Sequence, residues 1–329
     1  MSKCLIVHPV HEDGLRLLRR AGVEPVLCPN DEVETVSRLI VDCEAVITRA
    51  GLSGTAIRAG QRLQVIVVHG SGYDAVDLDT ATERGVLVCN TPGENARSVS
   101  ELALGLSLAA ARLIPAADRC ARAGIPGFRE QESFTELSGK TALVIGWGAT
   151  GAGFGRMVRA ALAMRVLVYS PRATDLDGFE RVARLDDGLA QADLISLHTP
   201  LRPETQGLIG ESTLARVKPG AVLVNTARSG LVDEDALAAA LESGRIAAAG
   251  LDVYTEAAPF GPLSASRRVI FTPHLGGTTV EALQRVVTRS VHMVLQALAG
   301  ERPATALNEP LGIWRGRPAA PGLGSTRGE

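Results

Sequence analysis

The chain of 329 residues is long enough for about two domains, each able to bury its own core. Its 34 Lys and Arg stand against 36 Asp and Glu, a formal net charge of -2 that leaves no electrostatic footprint for nucleic acid. The residues are 46% apolar but only 3% aromatic, which removes a stacking platform for bases and favours strands packed closely against helices.

The N-terminal run MSKCLIVHPV is interrupted by His8 and Pro9, too soon for a signal segment or a membrane span. Cys4, Cys28, Cys43, Cys89 and Cys120 are odd in number and form no CxxC pair, so neither a metal site nor a redox couple is expected, and a reducing cytoplasm fits best. Short β-rich runs at 5–7, 65–68, 86–88, 142–145, 166–169, 194–197, 221–224 and 270–272 alternate with segments of helical period. Alternation of this kind predicts parallel sheets covered on both faces, and the strands are too many for one ordinary sheet.

Two long helices are the candidate crossings between domains. Ser98 and Glu101 stand at capping-box spacing ahead of a stripe of Val99, Leu102, Ala103, Leu106, Ala110 and Leu113, which predicts a helix over about 98–114, stopped by Pro115. Thr278 and Glu281 repeat that spacing ahead of Leu283, Val286, Val287, Val291, Val294, Leu295 and Leu298, with Gly300 as the stop. The expected division is therefore 1–97 plus 288–311 for one domain and 98–287 for the other. Residues 312–329, rich in Pro, Gly and Arg, are expected to be a disordered tail.

Residues 142–151, ALVIGWGATG, form an apolar strand followed at once by Gly146, Gly148 and Gly151 in the spacing GxGxxG. The first glycine permits a tight turn, the second admits a pyrophosphate to the backbone, and the third allows close helix packing. With Ala149 and Thr150, they present a helix N-terminus to phosphate. A lone GxGxxG is a weak signal, but strand, turn, helix and the next strand at 166–169 arrive in order, which favours a dinucleotide site. Where an acidic residue would bind both ribose hydroxyls of NAD(H), Ser170 stands instead, and Arg172 can pair with a 2'-phosphate. NADP(H) is therefore favoured over NAD(H), unless Asp175 or Asp177 folds back.

Six blocks then occur in order: HGSGYDAVDLDTATERGVLVCNTPGENARSVSE at 69–101, GKTALVIGWGATG at 139–151, ADLISLHTPLRPETQGLIG at 192–210, VKPGAVLVNTARSGLVDEDAL at 217–237, AAAGLDVY at 247–254 and FTPHLGG at 271–277. In these the chain resembles the D-isomer-specific 2-hydroxyacid dehydrogenases, over about residues 40–300. The resemblance implies two doubly wound, Rossmann-like α/β domains, the cofactor domain inserted into a flavodoxin-like substrate domain, with a cleft active site and a homodimer. It also implies an NAD(P)H-dependent exchange between a small 2-oxo acid and its D-2-hydroxy acid; from the charge balance and the short apolar runs, neither a nucleic-acid nor a membrane partner is expected.

By the same resemblance, Arg228 is the forked cation for carboxylate and carbonyl oxygens, and His274 is the general acid and base, a role suited to an imidazole whose ordinary pKa is about 6.5. His198, Thr199, Pro200, Thr205, Thr226, Ala227, Asp252 and Gly276 border the cofactor, while His69, Ser71, Gly72 and Asn95 lie on the substrate side. The turn at 70–72 offers adjacent backbone N–H groups for a carboxylate. Val68 and Ser71 supply no charge there for a substrate phosphate, which leans away from phosphoglycerate.

One departure matters. Relatives commonly carry a Glu five positions after the Asp of the GLDVY block, as partner of the His, whereas Ala257 aligns there and Glu256 stands one residue early. Three outcomes follow: Glu256 serves through a one-residue shift, His274 works unaided, or turnover is lost. The last would make the chain a dinucleotide-responsive binding protein similar to the family's corepressor members. A methyltransferase with a similar glycine turn is disfavoured by the later Arg, Asp and His blocks.

Overall fold

A computed structural model describes residues 1–311; the tail expected at 312–329 lies outside the described residues. The chain forms two compact units, Met1–Asn95 with the residues from Thr279 on, and Ala96–Thr278. The boundary expected between 287 and 288 is corrected to 278/279, because it would cut the 19-residue helix Val280–Leu298. That helix is one continuous hydrogen-bonded element, and its Val291, Val294 and Ala297 are buried with Cys4, Ile6 and Val67 of the first unit. Its cap is also corrected: Thr279, not Thr278, accepts from the N–H of Ala282, while the Thr278 hydroxyl turns back to the Leu275 carbonyl.

The first unit is a five-stranded parallel sheet of β1 (Ser2–Ile6), β2 (Val23–Leu27), β3 (Ala45–Thr48), β4 (Val65–Val68) and β5 (Leu87–Asn90), in the order β2-β1-β3-β4-β5. This is the flavodoxin-like order. Every residue of β3, β4 and β5 is buried, as a sheet covered on both faces requires. Sequence reading misses β2, where Pro25 is tolerated because the strand lies at the sheet edge.

The second unit is a seven-stranded parallel sheet of β6 (Thr141–Ile145), β7 (Arg165–Tyr169), β8 (Glu180–Arg181), β9 (Leu194–Leu197), β10 (Ala221–Asn225), β11 (Ile246–Leu251) and β12 (Val269–Phe271). Its order is β12-β11-β10-β9-β6-β7-β8, so the chain winds outward from β6 through β7 and β8, then returns to β9 on the other side. The crevice at such a reversal, outside the carboxyl ends of β6 and β9, is where open α/β sheets bind ligands.

β11, IAAAGL, reads as a helix by composition. It is a strand because small residues let the helix Ala96–Ala111 lie against it: a Cβ on Gly250 would stand 2.9 Å from Cβ of Leu106. That helix begins at Ala96, two residues before the expected start, and breaks at Leu113, whose φ is 51°. Pro115 then opens a second helix, Ile114–Arg122, as suits a residue that lacks an N–H. Among the described residues no single helix is long and apolar enough to cross a membrane. Gly250→Val is expected to overpack this contact at a cost of about 1–3 kcal/mol, seen as a drop of several degrees in the thermal unfolding midpoint.

Candidate active site

The three glycines after β6 divide the work of the turn. Gly146 has φ +96°, and a Cβ there would lie 2.5 Å from the carbonyl oxygen of His198; a Cβ on Gly151 would lie 2.1 Å from the Gly146 oxygen. Both are therefore closed to side chains. Gly148 differs, since a Cβ there would meet nothing within 4 Å. It is the N-cap of the helix Ala149–Leu162, whose first turn carries no acidic residue and no side-chain cap. An open backbone at an uncapped helix N-terminus fits a pyrophosphate. Trp147, inside the turn, packs its ring on Phe179 at 4.9 Å between centroids.

At the end of β7 the cation expected for a 2'-phosphate is already engaged: Arg172 pairs with Glu204 at 2.7 Å. Arg181 donates to the Ser170 carbonyl at 2.8 Å. Neither Asp175 nor Asp177 folds onto a ribose position, because Asp175 accepts from the Asp177 N–H and Asp177 pairs with Arg156.

His198 follows β9. Its N–H donates to the Ile145 carbonyl at 2.7 Å and its Nε2 lies 2.9 Å from the Ser196 hydroxyl. Nδ1 is buried without a partner among the described residues, and burial pushes the pKa down to about 3, so the ring is neutral near pH 7. On the adjacent strand end, the buried Thr226 hydroxyl is likewise unpartnered. Two orphaned polar atoms beside a phosphate turn fit the polar edge of a dinucleotide. Half-buried Thr199 and exposed Pro200 continue this rim. The Thr205 hydroxyl, by contrast, is spent on its own turn, with the Pro200 carbonyl at 2.9 Å and the Arg202 N–H at 2.8 Å.

Sequence reading passed over Asn225, the last residue of β10. It is buried, accepts from the Ala227 N–H at 3.0 Å and donates to the Arg228 carbonyl at 2.8 Å, so one side chain shapes the turn that presents Arg228. An Asn at the carboxyl end of a strand, before a lone Arg, is the available signal. Arg228 is half-buried, and its Nη1 donates to the Ala227 carbonyl at 2.7 Å.

Asp252, expected beside the cofactor, follows β11 and turns its carboxylate to the loop after β12. It is 1% exposed. Oδ1 accepts from the Thr272 hydroxyl at 2.6 Å and the Leu275 N–H at 2.7 Å; Oδ2 accepts from the Gly276 N–H at 2.8 Å. Its backbone carbonyl accepts from the His274 N–H at 3.1 Å. The residue so enclosed, His274, has φ +55°, a left-handed conformation that costs a non-glycine residue energy and persists where neighbours hold it. The His274 side chain is exposed. Glu256 is exposed too, and no hydrogen bond or ion pair joins it to a described residue; its neighbour Thr255 is tied to Glu234 through an N–H bond of 2.7 Å.

In the first unit, His69 is buried after β4, with Nε2 unpartnered among the described residues. Burial, and then the positive charge of Arg49, lower its pKa to about 4. Gly70 has φ +156°, exposed Ser71 lends its carbonyl to Asn90 at 2.7 Å, and Gly72 and Asn95 are half-buried.

The carboxyl edge of the second sheet thus carries the glycine turn, Arg228 and the loop-borne His274 on one parallel-sheet scaffold. The family model for the D-isomer specific 2-hydroxyacid dehydrogenase NAD binding domain matches residues 104–276. The chain belongs to that family. It is 44% identical over 282 residues to the D-3-phosphoglycerate dehydrogenase of Mycobacterium tuberculosis, covering 83% of this chain and 53% of the relative. It is 37% identical over 317 residues to that of Methanocaldococcus jannaschii, covering 94% and 60%. The chain thus spans little more than half the length of these curated relatives. Among solved structures, the TT0316 protein of Thermus thermophilus superposes with a TM-score of 0.85 at 30% identity, over 93% of this chain and all of that one. A glyoxylate reductase from Paecilomyes thermophila superposes with a TM-score of 0.82 at 28% identity, over 94% and 98%.

In Asp252→Asn, either orientation of the new amide sets an NH2 against a backbone N–H of the loop. Turnover is expected to fall on the order of 100-fold, with cofactor affinity, read by Trp147 fluorescence, nearly unchanged. For His198 the unfolded chain takes up a proton below about pH 6.5, whereas the folded ring stays neutral down to about pH 3. Its contribution to stability is therefore full above pH 6.5 and is lost as pH falls. Denaturant titration is expected to show a loss of about 2 kcal/mol between pH 7 and pH 5 from this group, and a flatter pH dependence in His198→Gln.

Proposed function

We propose that the chain is a nicotinamide-dependent oxidoreductase that interconverts a small 2-oxo acid and its D-2-hydroxy acid. The observation that carries this reading is the row of groups at the carboxyl edge of the second sheet. His274 follows β12, Asp252 follows β11, Arg228 follows β10, His198 follows β9 and the glycine turn follows β6. Adjacent strand ends lie about 5 Å apart, a spacing suited to a small acid and a nicotinamide.

Bound NAD(P)H supplies the hydride that adds to C2 of the oxo acid. Arg228 binds the carboxylate and carbonyl oxygens and draws charge toward the carbonyl. His274 donates the proton that turns the carbonyl oxygen into a hydroxyl, and takes it back in oxidation. Neutral His198 and the Thr226 hydroxyl would border the cofactor, and neither would add a cation to its site. Within the first unit, the turn of Ser71 and Gly72, with His69 and Asn95, is the candidate substrate-side loop. Glu256, exposed and one residue before the position aligned with Ala257, would partner His274 only through a shift of its loop; otherwise His274 works unaided.

NADP(H) is the favoured cofactor, since Ser170 presents no carboxylate to repel a 2'-phosphate, and a phosphate dianion competes well with Glu204 for Arg172. Five free cysteines suit a reducing cytoplasm. The exposed apolar side chains Ile114, Ile125 and Phe134 suit a homodimer contact.

The test is oxidation of NADH and NADPH with glyoxylate, hydroxypyruvate, its phosphate ester, pyruvate and bulkier 2-oxo acids. Turnover with at least one acid, a higher kcat/KM with NADPH, and loss of that preference in Arg172→Ala are expected. Cofactor binding with no turnover on any acid would favour the dinucleotide-responsive binding protein. Glu256→Gln is expected to lower the upper apparent pKa of reduction, measured as kcat/KM against pH; an unchanged profile would leave His274 working unaided.

A further inference from the structure

Serine inside a helix commonly returns its hydroxyl to the carbonyl one turn back, as Ser107 does to Ala103 at 2.7 Å. Ser98, on the first turn of the helix Ala96–Ala111, does not. Its buried hydroxyl donates to the carbonyl of Gly276 at 2.6 Å, two residues after His274. Two residues further on, the fully buried Ser100 hydroxyl lies 2.8 Å from the Ala96 carbonyl and 2.9 Å from the carbonyl of Thr150, in the phosphate turn's helix. A Cβ on Gly153 of that helix would stand 2.7 Å from the Ser100 oxygen, and a Cβ on Gly276 would stand 3.3 Å from Cγ2 of Val99. The start of one helix thus touches both loops that the reaction needs.

We propose that Ser98 is a positioning residue for His274, and that Ser98 and Ser100 together tie the acid–base loop and the dinucleotide turn to one rigid helix. The proposal rests on the reading of His274 as the proton donor. Residue 276 is held from both sides: its N–H by Asp252 and its carbonyl by Ser98. Glycine has the widest backbone freedom of any residue, so a single anchor leaves this end of the loop able to rotate. Two anchors fix it, and with it the left-handed turn at His274.

The experiment compares wild type, Ser98→Ala and Ser98→Thr as the whole chain with cofactor bound. It measures kcat and KM for the oxo acid, cofactor affinity by Trp147 fluorescence, and the His274 ring titration by NMR with labelled histidine, assigned through His274→Gln. Ser98→Ala is expected to lower kcat about tenfold while cofactor affinity stays within about twofold, and to shift or broaden the His274 titration. Ser98→Thr, which keeps the hydroxyl, is expected to restore most of both. An unchanged kcat and titration in Ser98→Ala would overturn the proposal. So would a loss of kcat matched by loss of cofactor affinity and not recovered by Ser98→Thr. If wild type turns over no acid, the proton-donor reading fails by itself, and the NMR comparison still decides whether Ser98 fixes His274.

Discussion

A buried carboxylate with both oxygens committed ties the end of β11 to the loop after β12 in the second unit. Asp252 accepts side-chain hydrogen bonds from Thr272, Leu275 and Gly276, all of them neutral donors. Burial of such a group is costly unless its lone pairs are satisfied, so the loop after β12 and the residue after β11 stabilise each other. His274 sits inside this clamp in a conformation that few residues adopt unaided. Its backbone is thus set by hydrogen bonds on both sides, and the residue itself is exposed.

The same economy governs the other end of the site. Gly146 and Gly151 are compressed against backbone while Gly148 is open, so the turn approaches the first residues after β9 and still leaves room for phosphate. Small residues in β11 let the helix Ala96–Ala111 lie close to the sheet, and that closeness brings Ser98 and Ser100 within hydrogen-bond reach of the two loops. Alanine and glycine, which carry no chemistry, decide how near the chemical groups can come.

Much of this was legible in the residues. The apolar runs at 142–145, 194–197 and 221–224 bury completely, and Gly146 and Gly151 of the GxGxxG spacing leave no room for a side chain. What stayed hidden was either local ambiguity or long-range pairing. IAAAGL has the composition of a helix, yet it pairs with β10 and β12 as a strand, and its small residues leave room for Leu106 against Gly250. Thr278 and Thr279 are equally good caps by type, and only the backbone chooses between them. Ser98 looked like half of a capping box, yet its partner lies 178 residues away. Arg172 looked available for a phosphate, because nothing in the sequence brings Glu204 beside it. The GLDVY block singles out Asp252, but not the direction of its hydrogen bonds.

In the proposed reaction His274 gives a proton to the carbonyl oxygen of a 2-oxo acid, and a nicotinamide nucleotide bound at the 146–151 turn would supply the hydride for the carbonyl carbon. Reduction of a 2-oxo acid with a nucleotide deuterated at the transferable C4 position tests this directly, with the product read by NMR and chiral chromatography. The predicted product is the D-2-hydroxy acid carrying deuterium at C2, formed by wild type and not by His274→Gln. A product without deuterium at C2, or an equal yield from His274→Gln, would contradict it.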